Sequence, residues 1–361
     1  MLKFAVIRFR VYLAFYESEL VGSLSTVGQK ARSLIWAAVT NPHRIVQKVL
    51  GKLHHKNRIE IGEAPRRRKK ITSSPKPSLP IIFVHQSNSE YLKYTFAQAR
   101  ISNPDSPLFL LGDSTNAGHE GVEHQSMFDY FRQAAEFRKV YKHFSTNGLD
   151  YELINFQRWF ILKEFLIANH IKRCLYLDSD TLVYTNVTED SKKFEYFDFT
   201  LSQMTSGCTF FLNRIEALSE FCAFLFDVYS GKDKYHYDKL VAHFTARKMN
   251  RLPGGVCDMT AFQLYHELHF GEIGEAAQVI DGSVYDPAIT SPAPGIEMAN
   301  GIKKIMWREG VPYGKHFRTG HEIKFNSLQF QGSSKYLMSE YCTAGIQDAS
   351  WQPKQEFAIS N

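Results

Sequence analysis

Four consecutive apolar residues, Ile81-Ile82-Phe83-Val84, open the first well-defined element of the chain. A short run without polar alternation is the pattern of a strand covered on both faces. A helical stretch through Tyr91–Ala99 follows and closes at Asn103-Pro104, and Leu108-Phe109-Leu110-Leu111 then forms a second strand ending at Gly112-Asp113. Strand, helix and strand within about 30 residues make a βαβ unit, so a parallel sheet is expected here. Phe156–Asn169 has helical spacing, with Phe156, Trp159, Phe160, Lys163 and Leu166 marking successive turns. Arg173–Leu177 reads as a third strand and runs straight into Asp178-Ser179-Asp180. Helices are expected over Ile215–Tyr229 and, after a Pro-Gly-Gly turn, Met259–Leu268; Glu322–Gln331 reads as a late strand and Lys335–Glu340 as a short helix. Residues 231–320 read as irregular elaboration. The pattern predicts an α/β domain with a mostly parallel sheet flanked by helices.

Ahead of Pro80 the pattern is different. Residues 1–80 carry 16 Lys and Arg against four acids, whereas residues 81–361 carry 27 against 33. The overall charge of +6 therefore belongs to a leader and not to the body, which argues against nucleic acid as a partner. Residues 1–61 read as a basic, helical leader and 62–79 as a Pro/Ser/basic linker. The main domain is expected at 80–343, with a tail at 344–361. The apolar stretches Met1–Leu20 and Leu34–Val39 are too charged or too short to cross a bilayer. Set among basic residues, they suit peripheral contact with the inner face of a membrane through residues 1–60, or packing on the body or on a partner. Arg66–Lys70 is expected to be solvated linker. The five cysteines are odd in number, widely spaced and free of any C-x-x-C pair, which points to reduced thiols and a cytoplasmic setting. Asn186-Val187-Thr188 matches a glycosylation acceptor, a triplet too common by chance to carry weight.

The chemistry concentrates in Leu175–Tyr184, LYLDSDTLVY. Asp178 and Asp180 leave the carboxyl end of a buried strand, where open α/β sheets place their ligands. Two carboxylates at i and i+2 suit one hard divalent cation, Mg²⁺ or Mn²⁺, that keeps positions open for phosphate oxygens. The plainer reading of such a pair is an acidic turn capping the next element.

The stretch NFQRWFILKEFLIANHIKRCLYLDSDTLVY, residues 155–184, resembles glycosyltransferases of the GT-A fold, in particular family 8, which includes glycogenin and bacterial lipopolysaccharide galactosyltransferases. The resemblance runs from about residue 81 to 340 in islands. It implies a metal-dependent hexosyltransferase with a nucleotide-sugar donor, expected to be a UDP-sugar, and retention of anomeric configuration. The acceptor would be a glycan, a lipid-linked glycan or a protein, as in polysaccharide biosynthesis. On this resemblance Asp178 and Asp180 bind the metal, while His85 and Gln86 occupy the nucleotide-contact position. Arg158 lies on the helix before the motif. Ser206 and Gly207 resemble a strand opening near the sugar, and Asp258 resembles an acid that contacts sugar or acceptor. LQFQGSSK, residues 328–335, resembles a terminal H-x-x-G-x-x-K motif, which assigns Gly332 and Lys335 to the diphosphate. Gln329 stands where that motif has its metal-binding histidine. Gln329, His316, His321 or water would then be the third ligand.

Other readings stand beside these. Arg158 would hold phosphate or pair with Glu164 or another acid on its helix. Asp258 would contact substrate or cap the following helix. His85 would touch nucleotide or be an interior histidine. Trp307, Tyr313 and His316 would stack on sugar or pack a core. A haloacid-dehalogenase-type phosphatase would use Asp178 as nucleophile, but its motif normally opens its domain. A carbohydrate- or partner-binding protein without turnover is the reading that Gln329 favours.

Overall fold

The computed structural model describes residues 78–344. The chain divides into two units at Pro75, inside the Pro/Ser stretch, and all described residues belong to the second. The readings of the leader, of the linker up to residue 77 and of the tail from 345 lie outside the described residues.

Strand β1 (Ile81–Val84) is buried along its whole length. Its side chains alternate between two cores. Ile82 and Val84 enter the core on one face of the sheet, Ile81 and Phe83 the core on the other. Helix α1 (Leu92–Ser102) crosses to β2 (Leu108–Gly112), which pairs parallel with β1, and β3 (Glu123–Ser126) extends the sheet at β2. Helices α2 (Arg132–Val140) and α3 (Leu149–Ala168) then lead into β4 (Cys174–Leu177), parallel to β1 on its other side. Helix α3 begins after Gly148 with Asp150 and Glu152 in its first turn, acids that favour the positive end of the helix dipole.

The motif turn leads from β4 into β5 (Thr181–Val183), which leaves the sheet. Helix α4 (Val187–Asp190) is capped by Asn186, whose side chain accepts from the backbone of Thr188 at 3.0 Å and Glu189 at 3.2 Å. Capping accounts for the asparagine of the glycosylation-like triplet. The sheet resumes with β6 (Phe199–Leu201) and β7 (Thr209–Leu212), the latter antiparallel to β4. After helices α5 (Ile215–Tyr229), α6 (Lys234–Met249) and α7 (Asp258–Leu268), β8 (Ile273–Glu275) completes the order β3-β2-β1-β4-β7-β6-β8. Four of its six pairings are parallel. This is an α/β arrangement with a mostly parallel sheet, as the sequence pattern predicts.

A second sheet forms around the expected late strand, and most of its other strands come from the stretch read as irregular. It contains β9 (Ser283–Tyr285) and, beyond the small β10 (Met298–Ala299) and β11 (Ile302–Lys303) ladder, β12 (Met306–Arg308), β13 (Val311–Lys315) and β14 (Glu322–Gln329). Helix α6 also falls in that stretch. It is polar on most of its surface and buries only His236 and Leu240 fully, so it lacks the apolar stripe that reveals a helix. Asp233 caps it by accepting from the His236 backbone at 3.1 Å. The late strand stops at Gln329, two residues early, and the final segment is a 3-10 turn over Gly332–Leu337 before α8 (Met338–Tyr341). β5 joins this second sheet by pairing antiparallel with β14, Thr181 opposite Gln329.

One fully buried ion pair braces the second sheet. Asp286 and Lys303 are both 0% exposed and lie 2.6 Å apart. Burial raises the Asp286 carboxyl and lowers the Lys303 ammonium, and the attraction of each for the other opposes both shifts. Asp286 also accepts from the Gln329 backbone at 3.2 Å, which ties the pair to the end of β14. Lys303→Met would leave a carboxylate buried without its counter-charge. A stability loss of about 3–5 kcal/mol is expected in chemical denaturation, and an unchanged midpoint would refute the bracing role.

Candidate functional site

Asp178 follows β4 directly, and its backbone N–H donates to the Cys208 carbonyl at 2.9 Å, across from β7. Thr181 N–H returns to the Asp178 carbonyl at 3.1 Å, so the motif is a tight turn. Two more contacts hold it. Thr95 Oγ1 on α1 donates to the Ser179 carbonyl at 2.5 Å, and the Phe330 N–H donates to the Asp180 carbonyl at 2.8 Å. The turn is thus clamped from the first sheet, from α1 and from β14.

Each carboxylate faces a cation. Asp178 Oδ1 accepts from Arg158 Nη1 at 2.7 Å and from the Tyr176 hydroxyl at 2.9 Å. Tyr176 and Asp178 are two residues apart, so an extended backbone sends both to one face. The second nitrogen of the same guanidinium, Nη2, donates to Asp258 Oδ2 at 2.6 Å, and Trp159 Nε1 adds a bond to that oxygen at 3.0 Å. Burial disfavours the arginine charge, but Asp178 and Asp258 outweigh it and raise the pKa well above its ordinary value. On the other side of the turn, Lys335 Nζ lies 2.9 Å from Asp180 Oδ2. Burial and the neighbouring Asp178 charge raise the Asp180 carboxyl, while Lys335 pulls it back. Burial works against the Lys335 charge, and Asp180 more than compensates.

His85 closes the third side. Its Nδ1 lies 2.8 Å from the Ser179 hydroxyl and its Nε2 3.3 Å from that of Ser89, with Tyr91 edge-on at 5.9 Å. Burial, assisted by the Lys335 charge, lowers its pKa to about 4. The strand-end loop behind it is fastened by Asn116 Nδ2, which donates to the carbonyls of His85 and Ser87 at 2.8 and 2.9 Å.

The segment before β7 also packs against this cluster. Ser206 exchanges backbone hydrogen bonds with Ser202 at 2.7 and 2.9 Å, and its hydroxyl accepts from the Cys208 N–H at 3.3 Å. A Cβ on Gly207 would lie 2.4 Å from the Trp159 ring, so only glycine lets the indole reach Asp258 along this path. Gln329 is buried and its backbone is held by Asp286 and Ile289. Gln86 and Gly332 are exposed and flank His85 and Lys335 in the chain.

Several expectations need correcting. Arg158 pairs with Asp178 and Asp258 and not with Glu164, which faces Arg132 and the Gln133 backbone. The Asp258 carboxylate is not a cap; it is nearly buried and holds Arg158 and Trp159. His321 just precedes β14 and His316, bonded to it, just follows β13; both lie about 26 Å of strand from Gln329 and are no substitutes for it. Trp307 packs against Tyr184 at 5.7 Å and Tyr341 at 6.1 Å, in the core of the second sheet. Tyr176, Trp159 and Ser179 escaped the sequence reading. Only Tyr176 carried a signal, its i, i−2 spacing from Asp178.

No protein-family model matches the chain, and no curated protein sequence matches it. Three solved glycosyltransferases are similar to it in part. The glycosyltransferase GlyE of Streptococcus pneumoniae TIGR4 is 11% identical, over 55% of this chain and 45% of its own, with a TM-score of 0.27. The PaToxG glycosyltransferase is 14% identical over 53% and 69%, with a TM-score of 0.32. The bifunctional glycosyltransferase WbbM, in its apo structure, is 11% identical over 68% and 47%, with a TM-score of 0.32. The chain thus spans less than half the length of GlyE and of WbbM. Likeness this slight leaves the chemistry to be argued from the residues.

Those residues fit a hard divalent cation. Asp180 Oδ1 is buried without a hydrogen-bond partner, an uncommon state for a carboxylate oxygen. A second acid adjoins it, and the set is all oxygen, as Mg²⁺ or Mn²⁺ requires. Among the described residues no group of three or more His, Cys, Asp and Glu is arranged for a metal.

The histidine supplies a test of this geometry. An unfolded histidine titrates near pH 6.5, whereas His85 is held near 4, so between these values only the unfolded chain takes the proton. The contribution to stability is complete above about pH 6.5 and is lost as pH falls toward 4. In the metal-free protein, NMR should show the His85 ring unprotonated down to about pH 5. A midpoint near 6.5 would mean that the ring is not enclosed.

Proposed function

We propose that this protein is a metal-assisted glycosyltransferase whose donor is a nucleoside diphosphate sugar, a UDP-sugar by the resemblance of residues 155–184. One observation carries the reading. Two carboxylates at the carboxyl edge of an α/β sheet are each matched to a cation, and a buried oxygen of one lacks a partner. That arrangement suits a ligand bringing both a divalent cation and phosphate oxygens.

Asp178 and Asp180 would hold the cation, which supplies charge neutralisation for the departing diphosphate. Lys335 would move from Asp180 to the diphosphate once the cation compensates the carboxylate, acting as a point charge on phosphate. Arg158 holds Asp178 in place from behind and is itself held by Asp258, so both act as positioning residues in this scheme. The neutral His85 ring fixes Ser179 at the centre of the turn and adds no positive charge near the cation. Gln329 would offer a neutral amide oxygen where the resembling motif has histidine. Ser206, Gly207, Gln86 and Gly332 complete the donor side by resemblance, as does retention at the anomeric carbon. The acceptor class remains a glycan, a lipid-linked glycan or a protein.

Calorimetric titration of UDP with and without Mn²⁺ tests the donor site. Binding is expected to require Mn²⁺ and to vanish in the Asp178→Ala/Asp180→Ala double variant. Lys335→Met is expected to weaken Mn²⁺-dependent UDP binding by about 1.5–3 kcal/mol, the worth of a hydrogen bond to a charged group. If neither UDP nor any other nucleoside diphosphate binds under either condition, the transferase reading fails.

A further inference from the structure

The body has one end whose charge runs against the rest. Residues 81–361 carry six more acids than bases, yet from Lys239 to Cys257 there are four Lys and Arg and no acid, and Phe137–Leu149 adds three more with none; of these seven, Arg138, Lys139 and Lys239 pair with Asp150, Glu136 and Glu267. Structure brings the two segments together. Val256 N–H donates to the Phe144 carbonyl at 2.8 Å, Thr146 N–H to the Gly254 carbonyl at 3.2 Å, and Gly254 N–H to Thr146 Oγ1 at 2.8 Å. A Cβ on Gly255 would sit 2.1 Å from the Phe144 carbonyl oxygen, so the close approach depends on glycine. Phe144 also packs against Phe244 and Tyr237 of α6, and Arg247 donates to the Pro253 carbonyl. The 142–149 segment, the end of α6 and the 250–256 loop therefore form one surface.

Two kinds of side chain share that surface. Lys142, Lys248 and Arg251 are exposed, and among the described residues none of them has a carboxylate partner. The same segments also expose apolar side chains: Met249 is 79% exposed, Leu252 48% and Leu149 46%. Isolated exposed apolar residues need no explanation, but three on the same joined segments as unpaired cations do. The leader is not a suitable cover, because its own net charge is strongly positive. A nucleic acid would satisfy the cations but not Met249 and Leu252. An anionic lipid bilayer satisfies both, as headgroups meet the ammonium and guanidinium groups while the apolar side chains enter the acyl boundary.

We propose that this end of the body docks on an anionic membrane surface through Lys142, Lys248, Arg251, Leu149, Met249 and Leu252. The proposal stands apart from the donor chemistry. Asp258, which holds Arg158, follows the same loop in the chain.

Hydrogen–deuterium exchange on the full chain tests it, with vesicles of phosphatidylglycerol and phosphatidylcholine in equal parts and with phosphatidylcholine alone. Protection of 141–150 and 247–256 is expected with the anionic vesicles only. In co-sedimentation, a K248Q/R251Q/L252D variant should bind those vesicles at least about tenfold more weakly, since each surface cation contributes on the order of 1 kcal/mol. All three positions are exposed, and unchanged exchange elsewhere would confirm that the variant is folded. Protection confined to residues 1–77, unchanged vesicle binding by the variant, or protection of the loop by single-stranded nucleic acid but not by vesicles would each overturn the proposal.

Discussion

The Arg158 guanidinium, buried between Asp178 and Asp258, is the constraint on which the candidate site depends. A charge withdrawn from water is tolerated only where acids compensate it, and here the acids come from the end of β4 and the start of α7. The arginine therefore fixes the distance between a strand end and a helix start that lie 80 residues apart in the chain. Trp159 repeats the link from the next position of α3, donating to Asp258 while packing on Phe210 at 5.1 Å and Phe262 at 4.9 Å. Polar and apolar sides of one helical turn thus enforce the same geometry.

The sequence was most legible where burial is complete. β1, β2 and β4 are apolar runs covered on both faces, and α5 and α7 carry strong apolar periodicity, so pattern alone locates them. The carboxylate pair is legible for a related reason, since two acids straight after a buried strand stand out. Legibility fails where stabilisation is not local. Helix α6 buries two residues fully and is held by a cap and by its neighbours, and β12 and β13 alternate too briefly to be told from loop. The capping alternative for Asp258 fails because this carboxylate answers a cation on a distant helix, whereas one at a helix start usually faces its own backbone. Only the tertiary fold reveals that partner.

Two positively charged features of the body have opposite surroundings. Arg158 and Lys335 are matched to carboxylates within 3 Å, which holds the candidate site near neutrality before any ligand arrives. The cations at the end of α6 and on the following loop have no such match among the described residues. The first arrangement lets ligand and side chains exchange partners at little electrostatic cost, while the second leaves attraction for a partner outside the chain. Both depend on the 250–258 segment, whose glycines shape the loop and whose last residue holds Arg158.

The motif turn is also a splice. Asp178 belongs to the sheet of β4, whereas Asp180 is bonded through its backbone to Phe330, next to the β5–β14 pairing. The two acids therefore answer to separate sheets, the first covered by a hydrophobic core on each face and the second packed on a third core. Any sliding of one layer over the other must appear as a change in the gap between the carboxylates. The pair acts in effect as a caliper on the alignment of the two layers, and packing changes around Leu182, Phe325 or Leu328 would be registered there as altered grip on whatever the acids hold.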